Sequence, residues 1–253
     1  MTTPNQVQKE LYESIHDDYE RHYYDASSMA YRREFIYDPM FGDIDLNGKL
    51  VADLACGSGH NSVSLKQRYP GVSTIGFDLS DRACDDYRRN NVGAECRQFD
   101  LCSPTPPDIQ VDAAMIVVGL HHCVSDLTAA LRNVAAMVKP GGHFFMVEPS
   151  SQCFLELGRK IWYRMDRYFD AETEAALNHD KVAKLGEPWF AVEHSRHMGG
   201  PAYFLILNSL LFRISVERKA SMAPALFAAE RLYNHLPGKV WFPYFVARWK
   251  KKG

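Results

Sequence analysis

The residues of this chain that could do chemistry fall into three groups. The first is Val51-Ala-Asp-Leu-Ala-Cys-Gly-Ser-Gly-His-Asn-Ser62, an apolar run broken by a glycine-rich turn just after Asp53. Gly57 and Gly59 suit a turn where a ligand approaches the backbone with no Cβ in the way. The turn is not a Walker phosphate cradle, because His60 and Asn61 stand where Lys and Ser or Thr are needed. The dinucleotide fingerprint also fails, since its third glycine is Ser62. About twenty residues on, Thr74-Ile-Gly-Phe-Asp-Leu-Ser80 ends a second apolar run in Asp78, where a carboxylate is placed to accept hydrogen bonds from ribose hydroxyls. The expected ligand carries a ribose and need not carry a pyrophosphate.

The second group is His121 and His122, directly after the apolar run Ala114–Val118. Histidine is the usual base near neutral pH, so His121 is the candidate catalytic residue and His122 a candidate acceptor contact. The alternative is that both rings pack or cap the next helix. The third group is His194, Arg196 and His197, joined by Arg159 and Tyr163. Guanidinium groups suit planar anions such as carboxylate or phosphate, which makes these five candidate acceptor-binding residues. Arg164 and Arg167 could help surround such an anion, and the alternative for the whole group is a solvated basic face. No acidic or thiolate partner completes the His-x-x-His spacing, so no metal is expected.

These groups need elements to position them. Leu50 to Leu54 reads as a strand and residues 61–68 as a helix, the first half of a βαβ unit. Further strands are expected at 74–78, 92–99, 112–118 and 143–148, with helices at 81–90 and 125–138 between them. Strand 112–118 is almost wholly apolar, as a strand buried on both faces should be. Such alternation gives a doubly wound parallel sheet, and ligands bind outside the carboxyl ends of its strands. Asp53, Asp78, Asp100, Gly119 and Glu148 then share one edge. Ahead of the sheet come helices over 7–24 and 25–36, the second capped by Ser27 or Ser28, then a loop over 37–49. Behind it come helices over 154–169, 171–185, 201–213 and 223–236, a strand over 188–197 and a last, antiparallel strand over 241–249.

Several motifs together resemble one family. Asp53-Leu-Ala-Cys-Gly-Ser-Gly59, Gly76-Phe-Asp-Leu-Ser80, Cys96-Arg-Gln-Phe-Asp-Leu101, Ala114-Met-Ile-Val-Val-Gly-Leu-His-His-Cys123 and Val138-Lys-Pro-Gly-Gly-His-Phe-Phe-Met-Val-Glu148 are similar, in order, to the motifs of class I S-adenosylmethionine-dependent methyltransferases. The resemblance implies an α/β fold: a doubly wound, mostly parallel seven-stranded sheet with helices on both faces, an N-terminal helical flap and a helical insertion near the C-terminus. It implies S-adenosylmethionine as cofactor and S-adenosylhomocysteine as product. Asp78 would take the ribose and Asp100 the adenine amino group, with Asp53, Ala55, Gly57, Gly59, Asn61, Leu79, Leu101 and Val118 around them. In similar families the flap covers the cofactor. Tyr24 and Tyr31 would then reach the methionine carboxylate, with Arg32 or Arg33 pairing with it, Arg33 being the expected cofactor contact. The alternative for the tyrosines is a half-buried packing stripe.

Three parts are expected: residues 1–44 as the flap, 45–150 as the cofactor-binding core, and 151–253 as acceptor-binding or lid helices with the last strands. At 46% hydrophobic residues the chain can bury a full core, and a net charge of −2 argues against general nucleic-acid binding. The six cysteines form no Cys-x-x-Cys pair and read as reduced thiols. No signal-peptide pattern opens the chain, so a cytoplasmic protein is the simplest reading. The function expected is methyl transfer to a hydroxyl or amine of a small, polar, possibly anionic metabolite. The runners-up are a C-methyltransferase acting on an isoprenoid, quinone or lipid-linked acceptor, and a non-catalytic S-adenosylmethionine-binding scaffold. A membrane contact or a homodimer face is left open for the apolar run Ala202–Phe212.

Overall fold

The computed structural model describes residues 22–155, 175–210 and 212–253. The five apolar runs fold as strands β1 (Leu50–Leu54), β2 (Ser73–Asp78), β3 (Glu95–Gln98), β4 (Val111–Val117) and β5 (Val138–Pro149). Two more, β6 (Phe190–Met198) and β7 (Tyr244–Lys251), complete one seven-stranded sheet of order β3-β2-β1-β4-β5-β7-β6. Strands β1 to β5 pair in parallel, while β7 is antiparallel to both β5 and β6. The chain leaves β1 toward β2 on one side and reaches β4 on the other, so the strand order reverses between β1 and β4. A ligand crevice belongs at such a reversal.

Successive side chains of a strand point to opposite faces, so each strand feeds two cores. Ala52, Leu54, Ala114, Ile116, Phe144 and Trp249 face one; Val51, Ala113, Met115, Phe145 and Val246 face the other. Each large side chain buried this way is worth about 1.5–3 kcal/mol. The first core is closed by α5 (Leu127–Met137) and α6 (His179–Gly186) through Leu131, Val134 and Val182. The second is closed by the flap and by residues between β6 and β7. The flap comprises α1 (Ala26–Arg32), a π-helical turn (Arg33–Tyr37) and α2 (Asp38–Phe41). Helices α3 (His60–Arg68) and α4 (Asp81–Asn90) follow β1 and β2.

Several boundaries differ from expectation. The cap of α1 is Asp25, whose carboxylate accepts from the N–H of Ser27 at 3.0 Å and of Ser28 at 3.4 Å; the serines are inside the helix. The loop expected over 37–49 opens with α2, where Pro39 fits because the first helical turn needs no N–H bond there. Strand β3 is short because residues 92–94 belong to the turn that ends α4. Strand β5 starts at Val138, which pairs with Val111. The apolar run after Gly200 forms one π-helical turn, Tyr203–Leu207, rather than a long helix. The next helix, α7 (Val216–Tyr233), begins earlier than expected, at a Ser215 cap. Residues 156–169 of the helix expected over 154–169 and 7–21 of that over 7–24 lie outside the described residues, as do 171–174 of the helix expected over 171–185, whose described part is helical only from His179, as α6. Among the described residues, no helix is long and apolar enough to cross a membrane.

Candidate functional site

The glycine turn opens off the end of β1 and is held from beneath. Ala55, Gly57 and Gly59 all have positive φ, at 49°, 51° and 82°. A Cβ on Gly59 would collide with the Asn91 side chain and lie 2.5 Å from the Tyr87 ring, so only glycine fits. The Gly57 N–H donates to Oδ2 of Asp78 at 2.9 Å, and the Ser80 N–H to its Oδ1 at 2.9 Å. Asp78 therefore braces the turn. Asp100, after β3, accepts from the Cys102 N–H at 2.8 Å, and Leu101 beside it is buried. Leu79 is half-buried.

Asp53 is fully buried. Its Oδ2 accepts from the Ser62 hydroxyl at 2.7 Å, while its Oδ1 has no hydrogen-bond partner. Burial pushes the carboxyl up to about 7, against the pull of Ser62. Ser62, at the position of the missing third glycine, is thus a ligand of Asp53, and Tyr87 lies 2.9 Å from it and donates to Thr74 at 3.0 Å. An acidic cradle with an orphaned oxygen, two glycines in left-handed geometry and carboxylates after β2 and β3 fit an adenosyl group carrying an amino-acid tail.

The flap contributes differently from expectation. Tyr24 stacks on His60, ring centroids 4.0 Å apart, and the Arg32 guanidinium lies 4.8 Å from the Tyr24 ring centre. Arg32 is buried, whereas Arg33 is exposed, so the inward cation of the pair is Arg32. Tyr31 does not line the cleft: it is wholly buried, donates to Glu230 at 2.6 Å and sits 3.1 Å from the Tyr244 hydroxyl. Tyr37 takes the place beside the turn instead, donating to Oδ1 of Asn61 at 2.7 Å.

Across the crevice, the end of β4 forms a lip. Glu148, the last charged residue of β5, is fully buried. Its Oε1 accepts from the N–H groups of Gly119 at 3.0 Å and Leu120 at 2.7 Å. Its Oε2 lies 3.3 Å from the His121 N–H and 2.8 Å from His121 Nδ1. An ionised carboxylate can only accept, so Nδ1 carries the ring proton when Glu148 is charged. Burial pushes Glu148 up to about 7, against the N–H groups of Leu120 and Gly119. His122 lies beside His121, ring centroids 3.9 Å apart, and burial holds it well below the usual histidine range. Val118, just before the lip, has a φ of 58°. For a β-branched residue that conformation costs about 1–3 kcal/mol.

The third candidate group is not brought to the crevice. Strand β6 is the sheet edge, separated from β4 by β5 and β7. His194 is exposed and Arg196 donates to the Asn234 carbonyl at 2.9 Å. His197 is buried against Phe245 and near His179, and burial lowers it to about 4. Period-2 alternation splits the three across two faces. Arg159 and Tyr163 lie outside the described residues. Sequence reasoning offered Arg32 only as the alternative to Arg33, and it missed Tyr37, Ser62 and the role of Glu148. The signal for the last was available: a single carboxylate closing the apolar run Phe144–Val147 has to find several donors once buried.

Residues 51–142 match the sequence model of a family described as "Methyltransferase domain". The ubiquinone biosynthesis O-methyltransferase of Coxiella burnetii is 29% identical over 108 residues, 40% of this chain and 44% of that protein. The tRNA N(3)-methylcytidine methyltransferase trm141 of Schizosaccharomyces pombe is 30% identical over 125 residues, 44% of this chain and 48% of that protein. In each case the match spans under half of the relative's length. Among solved structures, a S-adenosylmethionine-dependent methyltransferase from Thermotoga maritima, described as a possible histamine N-methyltransferase, superposes with a TM-score of 0.64 at 16% identity, covering 96% of this chain and 99% of that one.

Proposed function

We propose that this chain, whose core is a class I S-adenosylmethionine-dependent methyltransferase domain, transfers the methyl group of that cofactor to a hydroxyl or amine of a small polar acceptor. S-adenosylmethionine is the cofactor of the domain. When bound it supplies an electrophilic methyl group on a sulfonium, so the chain has to align an acceptor and deal with its proton. Asp78 and Asp100 would hold the ribose and adenine; Tyr24, Arg32 and Asn61 would meet the amino-acid tail.

The observation that carries the reading is the His121–Glu148 pair on the lip of the crevice. With Nδ1 turned to Glu148, proton uptake from an acceptor runs through Nε2, and Glu148 stabilises the cation that results. A hydroxyl acceptor needs such a base; an amine needs it only to become neutral. An anionic acceptor draws no support from β6, where Arg196 is occupied and His197 is neutral. The carbon-acceptor reading keeps one observation in its favour: Phe212, Leu236, Val240 and Trp241, between β6 and β7, are exposed apolar residues.

The test is calorimetric binding of S-adenosylhomocysteine, followed by its release from S-adenosylmethionine across phenols, amines and prenylated quinones. Turnover with phenols or amines supports the proposal. Turnover confined to prenylated acceptors moves it to the carbon-acceptor reading, and binding without turnover on any acceptor leaves a scaffold.

A further inference from the structure

Three successive backbone N–H groups, those of Gly119, Leu120 and His121, converge on the Glu148 carboxylate. The chain must swing sharply as it leaves β4 to aim all three one way. The left-handed residue at that swing is not the glycine. Gly119 has a φ of −137°, and it is small for another reason: a Cβ there would lie 2.7 Å from the Cβ of Ala55 in the glycine turn. The positive φ falls on Val118, which is 38% exposed and whose N–H donates to the Val147 carbonyl at 2.8 Å. An L residue with a branched Cβ leaves that conformation unless something holds it there. Beside that bond, the Glu148 carboxylate gathers the three N–H groups that follow Val118 and can hold it there.

We propose that Glu148 is a positioning residue for the methyl-transfer site: its carboxylate keeps Val118 in the left-handed conformation and so preforms the lip on which the cofactor and His121 meet. The assignment rests on the functional reading above only for what the lip serves, not for the latch itself. Glutamine at 148 keeps one acceptor oxygen but puts an NH2 group where a second acceptor is needed, so it faces N–H groups with N–H groups. The lip then relaxes toward negative φ at Val118. A residue that accepts positive φ at 118 makes the lip less dependent on the latch; glycine does so without a Cβ, and asparagine tolerates it.

The experiment uses the full chain with Glu148→Gln, Val118→Gly, Val118→Asn, and each 118 change combined with Glu148→Gln. Val192→Asn, at an exposed position of β6 with no positive φ, serves as control. Affinity for S-adenosylhomocysteine and the thermal midpoint are read for each. The expected result is roughly tenfold weaker binding in Glu148→Gln, with most of the loss recovered when position 118 is also changed. Unchanged binding in Glu148→Gln, or losses that simply add in the doubles, would overturn the latch. If the wild type binds no S-adenosylhomocysteine, the functional reading fails while the midpoints still decide: each 118 change must raise the midpoint more in Glu148→Gln than it does in the wild type. Should Glu148→Gln not fold, Val118→Asn alone reads the strain. A midpoint raised there and lowered by Val192→Asn supports it, and an equal fall in both removes it.

Discussion

The Tyr37 hydroxyl donates to Oδ1 of Asn61 at 2.7 Å, tying the flap to the helix that leaves the glycine turn. Both residues are buried, so the bond has no water to replace it. Tyr37→Phe leaves a buried acceptor unsatisfied and should cost about 1–3 kcal/mol in urea unfolding. It should also loosen the flap, which limited proteolysis of the folded protein would detect. Unchanged stability would mean that the Asn61 amide turns to another partner.

Asp78 joins the brace under Gly57 to the proposed ribose contact. Asp78→Ala removes both, and binding of S-adenosylhomocysteine should weaken by at least roughly 1.5–3 kcal/mol, the worth of hydrogen bonds to a charged group. Full retention of affinity by calorimetry would refute the ribose assignment.

His121→Ala should lower turnover by about 10²–10⁴-fold while leaving S-adenosylhomocysteine affinity nearly intact, because a base acts on the acceptor and not on the cofactor. Simultaneous loss of binding would make the ring a structural part of the lip.

Glu148 takes its proton near pH 7 in the folded chain, against an ordinary value of 4.5. Between those values the folded chain holds a proton that the unfolded chain has lost, so this group makes stability fall as pH rises from 4.5 to 7. The carboxylate that gathers the lip N–H groups is complete only above 7. The groups facing it are His121, His122 and Cys123; burial keeps His122 neutral, and the Cys123 thiol stays protonated, first through its hydrogen bond to Cys102. Asp53 titrates in the same window, so the contrast between wild type and Glu148→Gln isolates the effect. Stability of the wild type should decline more steeply from pH 5 to 7.5 than that of Glu148→Gln, while its S-adenosylhomocysteine affinity improves over the same range. Parallel profiles would place the proton elsewhere.

Much of this arrangement is readable along the chain, and the limits have physical causes. A buried parallel strand shows itself as an unbroken apolar run, and the carboxylates that end two of the runs, Asp53 and Asp78, mark the ligand edge. Helix faces are harder. Tyr31, Arg32 and Arg33 are consecutive, and a periodicity that places one residue inward does not say which of two cores it meets. Tyr31 went to Glu230 and Tyr244, on strands and helices about 200 residues away, and nothing local encodes that pairing. Helix α7 carries no continuous apolar stripe and has Pro224 within it, so its start was hidden until the Ser215 cap was seen. Alternation puts His194 and Arg196 on one face and His197 on the other, but it does not say that their strand lies at the sheet edge, separated from β4 by two strands.

Glu230 tests whether the flap and the segment between β6 and β7 stand as one unit. It is buried on α7 and accepts from the Tyr31 hydroxyl at 2.6 Å and from the N–H groups of Gly200 at 2.8 Å and Ala202 at 2.9 Å. These three donors come from two separate stretches and end on one carboxylate, whose pKa is raised by burial and pulled down by its donors, Tyr31 first and the Tyr203 N–H among them. Glu230→Ala strands all three and should destabilise the fold by about 3 kcal/mol or more, since each buried donor left alone costs about 1–3 kcal/mol. Glu230→Gln keeps an acceptor for one or two of them and should cost clearly less. Tyr31→Phe should cost the least, because it deletes the donor rather than stranding it. Chemical denaturation of the three variants gives the order directly. If Glu230→Ala lost no more than Tyr31→Phe, the Gly200 and Ala202 donors would be satisfied by water, and the flap would be held by apolar packing of Phe35, Ile36 and Phe41 instead.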